Sequence, residues 1–515
     1  MSRTQKTAKN SMIGLLCAGI NYLLSFVLRA LFIRLLGLEY AGINTLFADV
    51  LNILNLADLG FSNAILFRLY KTISEGDNEG TEAYLALYRK ICYVVGIVVG
   101  IIGLSLIPFL GDLISKIPSF AEPLWSIYII VLANSVANHV INYKSILLIA
   151  KQDRYVFTVI QYVCIFLRNA LQILSLIIFK SIYLYLVSSL ITTAIQGIVT
   201  GVVSKRRYLL SWKSASKIPK SEAKIIAKDV GSLSVYKICR TLDASIDTFL
   251  ISRYIDIAVT AVYGSVMLIL NALNELLGVF NDGMLASVGD LNAEGDKDHL
   301  EHVFYKSIHF TFLTYGVVTA TLVPVLSDFC KVWIGHSVND AAVYIMLLNF
   351  IMYGIGMNVA TFRNSMGIFR KGWVRPAITA ALNLVFSYIL ITKIGLIGTL
   401  IGTLIARTST LVWYDPWLVL RYGMNKSPKS YYFRYVVYLI IAGVVSGAII
   451  LLKNALPEVN GLFSVIWHGL LFLILAVMGF AVLGFVLPEH KEIIKMIADL
   501  FRQLRNKTRG GRASS

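Results

Sequence analysis

The sequence predicts an all-α integral membrane protein with about 14 transmembrane helices, arranged as two parallel six-helix repeats followed by two C-terminal helices. Three observations predict this fold class. Hydrophobic residues make up 57% of the 515 residues, whereas charged residues make up 15%. About fourteen apolar runs reach the roughly 20 residues that a helix needs to cross the hydrocarbon of a bilayer. A motif in the first half of the chain recurs in the second half, which indicates an internal duplication.

The predicted spans follow the apolar runs in chain order. They cover residues 12–36, 41–67, 84–111, 124–149, 155–179, 181–203, 230–252, 258–288, 304–326, 341–366, 374–393, 395–419, 432–452 and 462–487. Because each half contains six spans, both halves enter the membrane with the same orientation. The last two spans lie outside the repeat, and they either add a lateral groove for a lipid tail or simply enlarge the bundle.

The repeated motif occupies Leu51–Asp77 and Leu270–Asp296, and both copies begin with L-N-x-L-N and end with E-G-D. The same offset places Lys144 on Arg363, so the repeat unit is about half of the chain and short solenoid repeats are excluded. The predicted domains are an N-terminal six-helix bundle (1–204), a basic cytoplasmic linker (205–228), a C-terminal six-helix bundle (229–421), two additional transmembrane helices (422–488) and a basic amphipathic cytoplasmic tail (489–515).

The net charge of +18 reflects 47 Lys and Arg against 29 Asp and Glu. With the N-terminus inside, about 33 of the basic residues fall in predicted cytoplasmic segments and helix ends, and about six fall on the outer side. This asymmetry follows the positive-inside rule and predicts that both termini are cytoplasmic. Because topology explains the charge, nucleic acid is not a predicted partner.

Two basic segments are predicted to lie at the membrane surface. Residues 205–228 contain eight Lys and Arg and one acid, Glu222. This linker either lies on anionic headgroups, at about 1 kcal/mol per nearby basic side chain, or forms a solvated loop. Residues His490–Lys507 place apolar and basic side chains on opposite helical faces, which predicts an interfacial amphipathic helix. Membrane lipids are therefore predicted partners.

Polar side chains within the spans carry the functional signal, because a charge at the bilayer centre costs about 2.5 to 3.5 kcal/mol on insertion scales. Span one carries Asn21, Ser25 and Arg29 at intervals of four residues on one helical face. Span seven carries a charged stripe with helical spacing, formed by Lys237, Arg240, Asp243 and Asp247. The repeat offset places Arg240 on Asn21, so the two stripes occupy equivalent faces. They predict a wet cavity on an axis shared by the two halves.

Amides form further stripes in spans two and eight. These stripes contain Asn52, Asn55 and Asp58 in span two, and Asn271 and Asn274 in span eight. An amide in a membrane helix often only bonds a neighbouring helix, so a structural role stays open for these residues. Among the charges, the deep basic residues are Arg29, Arg168, Lys237 and Arg240. Arg240 could also be neutralised by Asp243 as a structural pair.

No catalytic signature is present in the sequence. It contains no nucleotide-binding G-x-x-x-x-G-K-[ST], no G-x-S-x-G elbow and no H-E-x-x-H zinc helix. The five cysteines form no C-x-x-C pair, and His299 with His302 fits a solvated loop better than a metal site. The sequence therefore predicts a protein that is not an enzyme and that needs no metal or cofactor.

Residues 32–70, FIRLLGLEYAGINTLFADVLNILNLADLGFSNAILFRLY, resemble bacterial Wzx-type polysaccharide flippases of the multidrug/oligosaccharidyl-lipid/polysaccharide exporter superfamily. The similarity is specific in L-G-x-E-Y-x-G and A-D-L-G-F. It implies a V-shaped pair of bundles in the bacterial cytoplasmic membrane that moves undecaprenyl-pyrophosphate-linked oligosaccharide repeat units to the outer leaflet. It also implies coupling to a proton or sodium gradient, and polysaccharide polymerase machinery as a further partner. Wzx proteins often have twelve spans, whereas fourteen is also typical of the related lipid II flippases.

The resulting prediction is a flippase for a pyrophosphate-linked lipid oligosaccharide that works by alternating access. The residues predicted to bind the anionic headgroup are Arg29, Lys144, Arg168, Lys237, Arg240 and Arg363. The amides predicted to meet sugar hydroxyls are Asn21, Asn52, Asn55, Asn271 and Asn274. The candidate ion-coupling residues, in order, are Asp243, Asp247, Asp58, Asp49, Glu275 and Asp282. The alternatives are a multidrug exporter of the same superfamily, a lipid II flippase, and a membrane-embedded polymerase or glycosyltransferase.

Overall fold

Helices make up all the regular structure in the part of the chain that the computed structural model describes, which comprises residues 3–55, 61–118, 122–210, 218, 220–368, 372, 374–457 and 461–510. The predicted all-α fold is therefore confirmed. Within these ranges the α-helices are α1 (Arg3–Leu36), α2 (Leu38–Leu54), α3 (Phe61–Ser74), α4 (Asn78–Ser105), α5 (Leu124–Asn142), α6 (Ser145–Ala150), α7 (Arg154–Leu174), α8 (Ile182–Tyr208), α9 (Lys220–Tyr254), α10 (Ile257–Glu294), α11 (Lys297–Ile334), α12 (Asp340–Ser365), α13 (Val374–Thr408), α14 (Tyr414–Trp417), α15 (Lys429–Lys453), α16 (Gly461–Leu483) and α17 (Glu489–Gly510).

Among the described residues, 11 helical segments are long and apolar enough to cross a bilayer, so the chain is a multi-pass membrane protein. Three differences separate this number from the predicted fourteen. The predicted span 41–67 contains residues 56–60, which lie outside the described ranges. The predicted span 230–252 lies in α9, which carries too many charges to meet the same criterion. The predicted spans 374–393 and 395–419 meet within α13, which counts once.

The sequence repeat reappears in the positions where helices begin. Helix α2 begins at Leu38 and α10 at Ile257, while α4 begins after Asp77 and α11 after Asp296. Each Asp accepts a backbone N–H at the start of its helix, from Gly80 in the first copy and from residues 298 and 299 in the second. The repeated E-G-D is thus a turn followed by a helix N-cap.

The described helices group into two compact units. Unit 1 comprises Met1–Leu268 with Ser387–Thr399, and unit 2 comprises Ile269–Phe386 with Leu400–Ser515. In unit 1, α8 packs against α5 and α7, and α2 packs against α9. In unit 2, α11 contacts α12, α15, α16 and α17 and supplies the fully buried Phe304 and Phe312. The domain boundaries drawn from the sequence repeat stay a prediction.

The chain reverses direction within α13 in the space of two residues. Ile394 has φ −131° and ψ 17°, and Gly395 has φ 63° and ψ −140°, a combination open essentially to glycine. Ser387 Oγ donates to the Thr399 carbonyl at 3.0 Å across this reversal. A methyl group added at Gly398 would lie 2.2 Å from the carbonyl oxygen of Leu390. The reversal therefore depends on close backbone contact between its two arms.

Helix α17 is attached to unit 2 by buried polar groups. His309 Nε2 and His490 Nδ1 are 3.0 Å apart, and His490 Nε2 lies 3.0 Å from the Ala481 carbonyl. Because a carbonyl can only accept, His490 carries its proton on Nε2, and its Nδ1 accepts from His309. Glu489, the residue before His490, forms an ion pair with Arg434 at 2.8 Å, and the Arg434 guanidinium lies 3.8 Å from the Tyr305 ring centroid.

Replacing Gly398 with alanine should open the reversal in α13, because the new methyl group would overlap backbone that cannot rotate away. We expect a loss of about 1 to 3 kcal/mol, seen as a lower melting temperature of the purified protein in detergent. Gly443→Ala in α15 is the matched control, since a methyl group there meets nothing within 4 Å. Equal melting temperatures for the two variants would contradict the close contact at Gly398.

His490→Leu should destabilise the attachment of α17 by about 1 to 3 kcal/mol, because it leaves the His309 N–H buried without an acceptor. The double variant His309→Leu/His490→Leu should lose less than the single variant, since neither polar partner remains. Melting temperatures of wild type, His309→Leu, His490→Leu and the double variant measure both effects. A double variant whose loss equals the sum of the two single losses would show that the imidazoles do not interact.

Candidate functional site

Unit 1 contains a polar cavity of about 270 Å³ within its membrane-spanning helices. Helices α1, α2, α5, α7 and α8 each contribute to its wall. The lining residues are Ser25, Leu28, Asn44, Val131, Asn134, Arg168, Asn169, Gln172, Tyr185, Leu186 and Ser189. Most of these side chains are amides, hydroxyls or a guanidinium, and none is acidic. A cavity of this kind between apolar helices is suited to a polar ligand that carries negative charge.

Arg168 of α7 supplies the positive charge of the cavity wall. Within the described residues, no hydrogen bond or ion pair occupies its guanidinium. The Tyr185 hydroxyl lies within electrostatic reach of both Arg168 and Arg29. Two of the predicted headgroup-binding residues are therefore brought to the same region of unit 1.

Arg29 of α1 is held by neutral acceptors from two other helices. Its Nε donates to Ser265 Oγ at 2.9 Å, and its Nη2 donates to the Ala261 carbonyl at 2.7 Å, both on α10. From α2, Thr45 Oγ1 accepts from Nη2 at 3.3 Å and the Ala41 carbonyl lies 3.5 Å from Nη1. Because none of these acceptors is ionised, they fix the guanidinium without neutralising its charge.

Amide side chains give the cavity wall a fixed arrangement. Asn169 Nδ2 donates to Asn21 Oδ1 at 3.3 Å, which connects α7 to the predicted stripe of α1. Gln172 Nε2 donates to Ser189 Oγ at 3.0 Å, and Thr193 Oγ1 donates to an amide oxygen of α5 at 2.8 Å. Sequence reasoning missed Asn169 and Gln172, although Arg168 and Gln172 lie one turn apart on α7.

Three of the predicted ion-coupling carboxylates lie in unit 1 on α2 and α9. Asp247 is buried and accepts from the Tyr263 hydroxyl at 3.3 Å. Asp49 accepts from Thr248 and Asn52, so it contacts the residue next to Asp247. Asp243 lies one turn earlier on α9 and is half-buried. No cluster of three or more metal-binding side chains occurs among the described residues.

The other predicted residues of unit 1 do not line the cavity. Asn55 Oδ1 accepts from Ser135 and lies 3.0 Å from His139 Nε2 on α5. Lys144 is half-buried, with its Nζ 5.8 Å from the Tyr143 ring centroid. Lys237 and Arg240 present exposed side chains on α9.

In unit 2, Arg363 takes part in a buried ionic cluster. Its Nη1 lies 2.9 Å from Asp415 Oδ1, and Arg375 Nε lies 2.8 Å from Asp415 Oδ2. Asp415 is 0% exposed and Arg363 is 2% exposed. Removing one partner from a buried cluster of this kind would leave a costly unpaired charge, so Arg363 has a clear structural role beside its predicted one.

The remaining predicted residues belong to α10 or to the chain near residue 58. Asn271 and Glu275 are exposed in unit 2, and Asn274 is half-buried with no hydrogen-bond partner for its Oδ1 among the described residues. Asp58 lies outside the described residues, as does the side chain of Asp282.

Comparison with known proteins gives both a family and a fold. A model of the polysaccharide biosynthesis protein family matches residues 7–284. No curated protein sequence matches the chain. The structure is similar to the lipid II flippase MurJ in an inward closed conformation, with a TM-score of 0.69 and 12% identity over 91% of this chain and 99% of that one.

Two further solved structures show the same architecture. An inward-facing MATE family multidrug resistance transporter of the MOP superfamily has a TM-score of 0.59 and 16% identity, covering 77% of this chain and 93% of that one. A MOP superfamily transporter from Pyrococcus furiosus has a TM-score of 0.54 and 16% identity, covering 81% and 95%. At these identities the similarity shows the fold. The resemblance carried by residues 32–70 is confirmed at the level of the family, because the family model covers more than half of the sequence, and the chain belongs to the polysaccharide biosynthesis protein family.

Proposed function

We propose that the protein is a flippase that moves undecaprenyl-pyrophosphate-linked oligosaccharide repeat units across the bacterial cytoplasmic membrane for surface polysaccharide biosynthesis. It would work by alternating access driven by an ion gradient, with both termini in the cytoplasm. The observation that carries this proposal is the polar cavity of unit 1, where Arg168 lines the wall and Arg29 lies nearby without an ionised partner. A pyrophosphate supplies the negative charge that such a cavity lacks.

Arg29 and Arg168 would contribute to substrate binding in different ways. Arg29 is fixed by its acceptors on α2 and α10, so it contributes a stationary positive potential. Arg168 has no such acceptors among the described residues, so its guanidinium is available for bidentate contact with a phosphate. The amides Asn134, Asn169 and Gln172 offer both donors and acceptors to sugar hydroxyls.

The charge of the cavity also helps to distinguish the proposed function from the alternative functions. A multidrug or cation antiporter would gain from carboxylates in the wall, whereas the described lining contains none. A lipid II flippase would use the same pyrophosphate chemistry, and the sugars accepted in a transport assay distinguish it from a repeat-unit flippase. A polymerase or glycosyltransferase would require catalytic carboxylates, which the described lining does not supply.

The carboxylates of α2 and α9 are the best placed coupling groups in this proposal. Asp247 is buried, and Asp49 bonds Thr248 beside it, so a proton or sodium ion bound there would alter the contact of α2 with α9. Helix α2 also carries Asn44 of the cavity wall. Ion binding and substrate binding would therefore act on the same helix.

Arg168→Gln should reduce translocation about 10- to 100-fold, which corresponds to the loss of a charged hydrogen bond of about 1.5 to 3 kcal/mol. Arg168→Lys should retain part of the rate, because it keeps the charge but not the bidentate geometry. The measurement is the appearance of lipid-linked oligosaccharide in the opposite leaflet of liposomes that contain purified protein. Arg154→Gln on the same helix is the control, and a folded Arg168→Gln protein with the rate of wild type would contradict the proposed contact.

Asp247→Asn should remove the response of transport to an imposed proton or sodium gradient while a slow rate without a gradient persists. The reason is that asparagine keeps a hydrogen bond with Tyr263 but cannot exchange charge. Rates with and without each gradient are compared in the same liposomes, with Asp340→Asn at the exposed start of α12 as the control. A gradient response that survives in Asp247→Asn would exclude this carboxylate as the coupling group.

A further inference from the structure

Helices α7 and α8 of unit 1 form a second cavity, a groove of about 450 Å³ that shares no lining residue with the polar cavity. One wall consists of Tyr155, Val156, Val159 and Ile160 of α7, and the other wall consists of residues 203, 206 and 207 of α8. Tyr155 is 45% exposed and Val159 is 49% exposed, so the groove opens to the surroundings of the protein. In a membrane-spanning region these surroundings are lipid.

The groove has an apolar part and a cationic end. Helix α7 begins at Arg154 and α8 ends at Tyr208, and the two helices pack against each other, so the start of one lies beside the end of the other. Val159 and Val203 lie one turn further from this end than Tyr155 and Arg207. The lining therefore changes from basic to apolar along the groove, as it would along a phospholipid molecule.

The positive charge at this end is only partly neutralised within the protein. Arg207 Nη1 lies 2.7 Å from Asp153 Oδ2, and the Tyr208 hydroxyl donates to the same carboxylate. Arg206, which lines the groove, takes part in no ion pair within the described residues. Residues 151–154 and 205–207 contain three further basic residues, Lys151, Arg154 and Lys205, and one acid, Asp153.

We propose that this groove is a binding site for an anionic phospholipid of the surrounding bilayer. The lipid phosphate lies against Arg206, and one acyl chain lies along Val159, Ile160 and Val203. Lipids that merely surround a membrane protein contact its apolar surface without preference for a headgroup, whereas this groove combines an apolar channel with excess positive charge at one end. The site is separate from the transport cavity, so it does not depend on the proposed function.

The test titrates the full-length protein in detergent with phosphatidylglycerol or phosphatidylethanolamine of identical acyl chains and counts bound lipids by native mass spectrometry. Wild type should retain phosphatidylglycerol at a concentration at least about fivefold lower than phosphatidylethanolamine. Arg206→Gln should abolish this preference. Lys205→Gln is the matched control, because it removes the same charge from the neighbouring position but does not line the groove, and it should keep the preference.

Two further experiments distinguish a lipid-binding site from a surface patch of positive charge. Val159→Trp fills the apolar part without changing any charge, and it should reduce binding of both lipids. Glycerol 3-phosphate at millimolar concentration should not displace phosphatidylglycerol, because it has no acyl chain. Any one of four results would overturn the proposal. The first two are equal retention of the two lipids by wild type and an equal loss of the preference in Arg206→Gln and Lys205→Gln. The others are unchanged lipid binding in Val159→Trp and displacement of phosphatidylglycerol by glycerol 3-phosphate.

Discussion

The interaction on which unit 1 depends is the set of hydrogen bonds made by the Arg29 guanidinium. A charged side chain within membrane-spanning helices is tolerated when its donors are satisfied, and here α2 and α10 supply the acceptors. Helices α2 and α10 can supply these acceptors because the two helices lie very close to each other. A methyl group at Gly42 of α2 would lie 2.0 Å from the Ile257 carbonyl oxygen at the start of α10. The same close contact that joins three helices thus places a fixed positive charge near the cavity.

The two polar regions of unit 1 are connected by α2. Asn44 lines the cavity, and Asp49, five residues later, bonds Thr248 of α9. A rigid helix that contacts both regions provides a direct physical connection between them. In the proposed function, substrate binding and ion binding would therefore each alter the free energy of the same helix.

Much of the fold could be predicted because the apolar runs and the internal duplication are visible directly in the sequence. The stripe of Asn21 and Arg29 was found by helical spacing, and Arg168 by its depth in an apolar run. The acceptors of Arg29 could not be found, because two of them lie on α10, more than half of unit 1 away along the chain. Periodicity also cannot show which face of α9 turns inward, and there Asp247 is buried whereas Arg240 is exposed.

The limits of repeat-based reasoning are clearest at Arg363. The repeat pairs it with Lys144, and both residues were predicted to bind the anionic headgroup. The structure gives Arg363 a buried carboxylate partner, Asp415, whereas Lys144 lies over an aromatic ring. Asp415 lies near the end of the twelfth predicted span, and the sequence offered no signal that connects it to Arg363 before the helices were packed.

The reversal at Gly395 constrains how the chain can be inserted during synthesis. A helix needs about 20 residues to cross the hydrocarbon, and the arm that begins at Val374 reaches the turn at Gly395 after about that number of residues. No loop separates it from the next arm, so the two arms form one helical hairpin. The exposed Lys393 lies beside the turn, at the tip of this hairpin. Insertion from the side on which Val374 lies therefore carries one positive charge across the membrane before the hairpin reaches its final position.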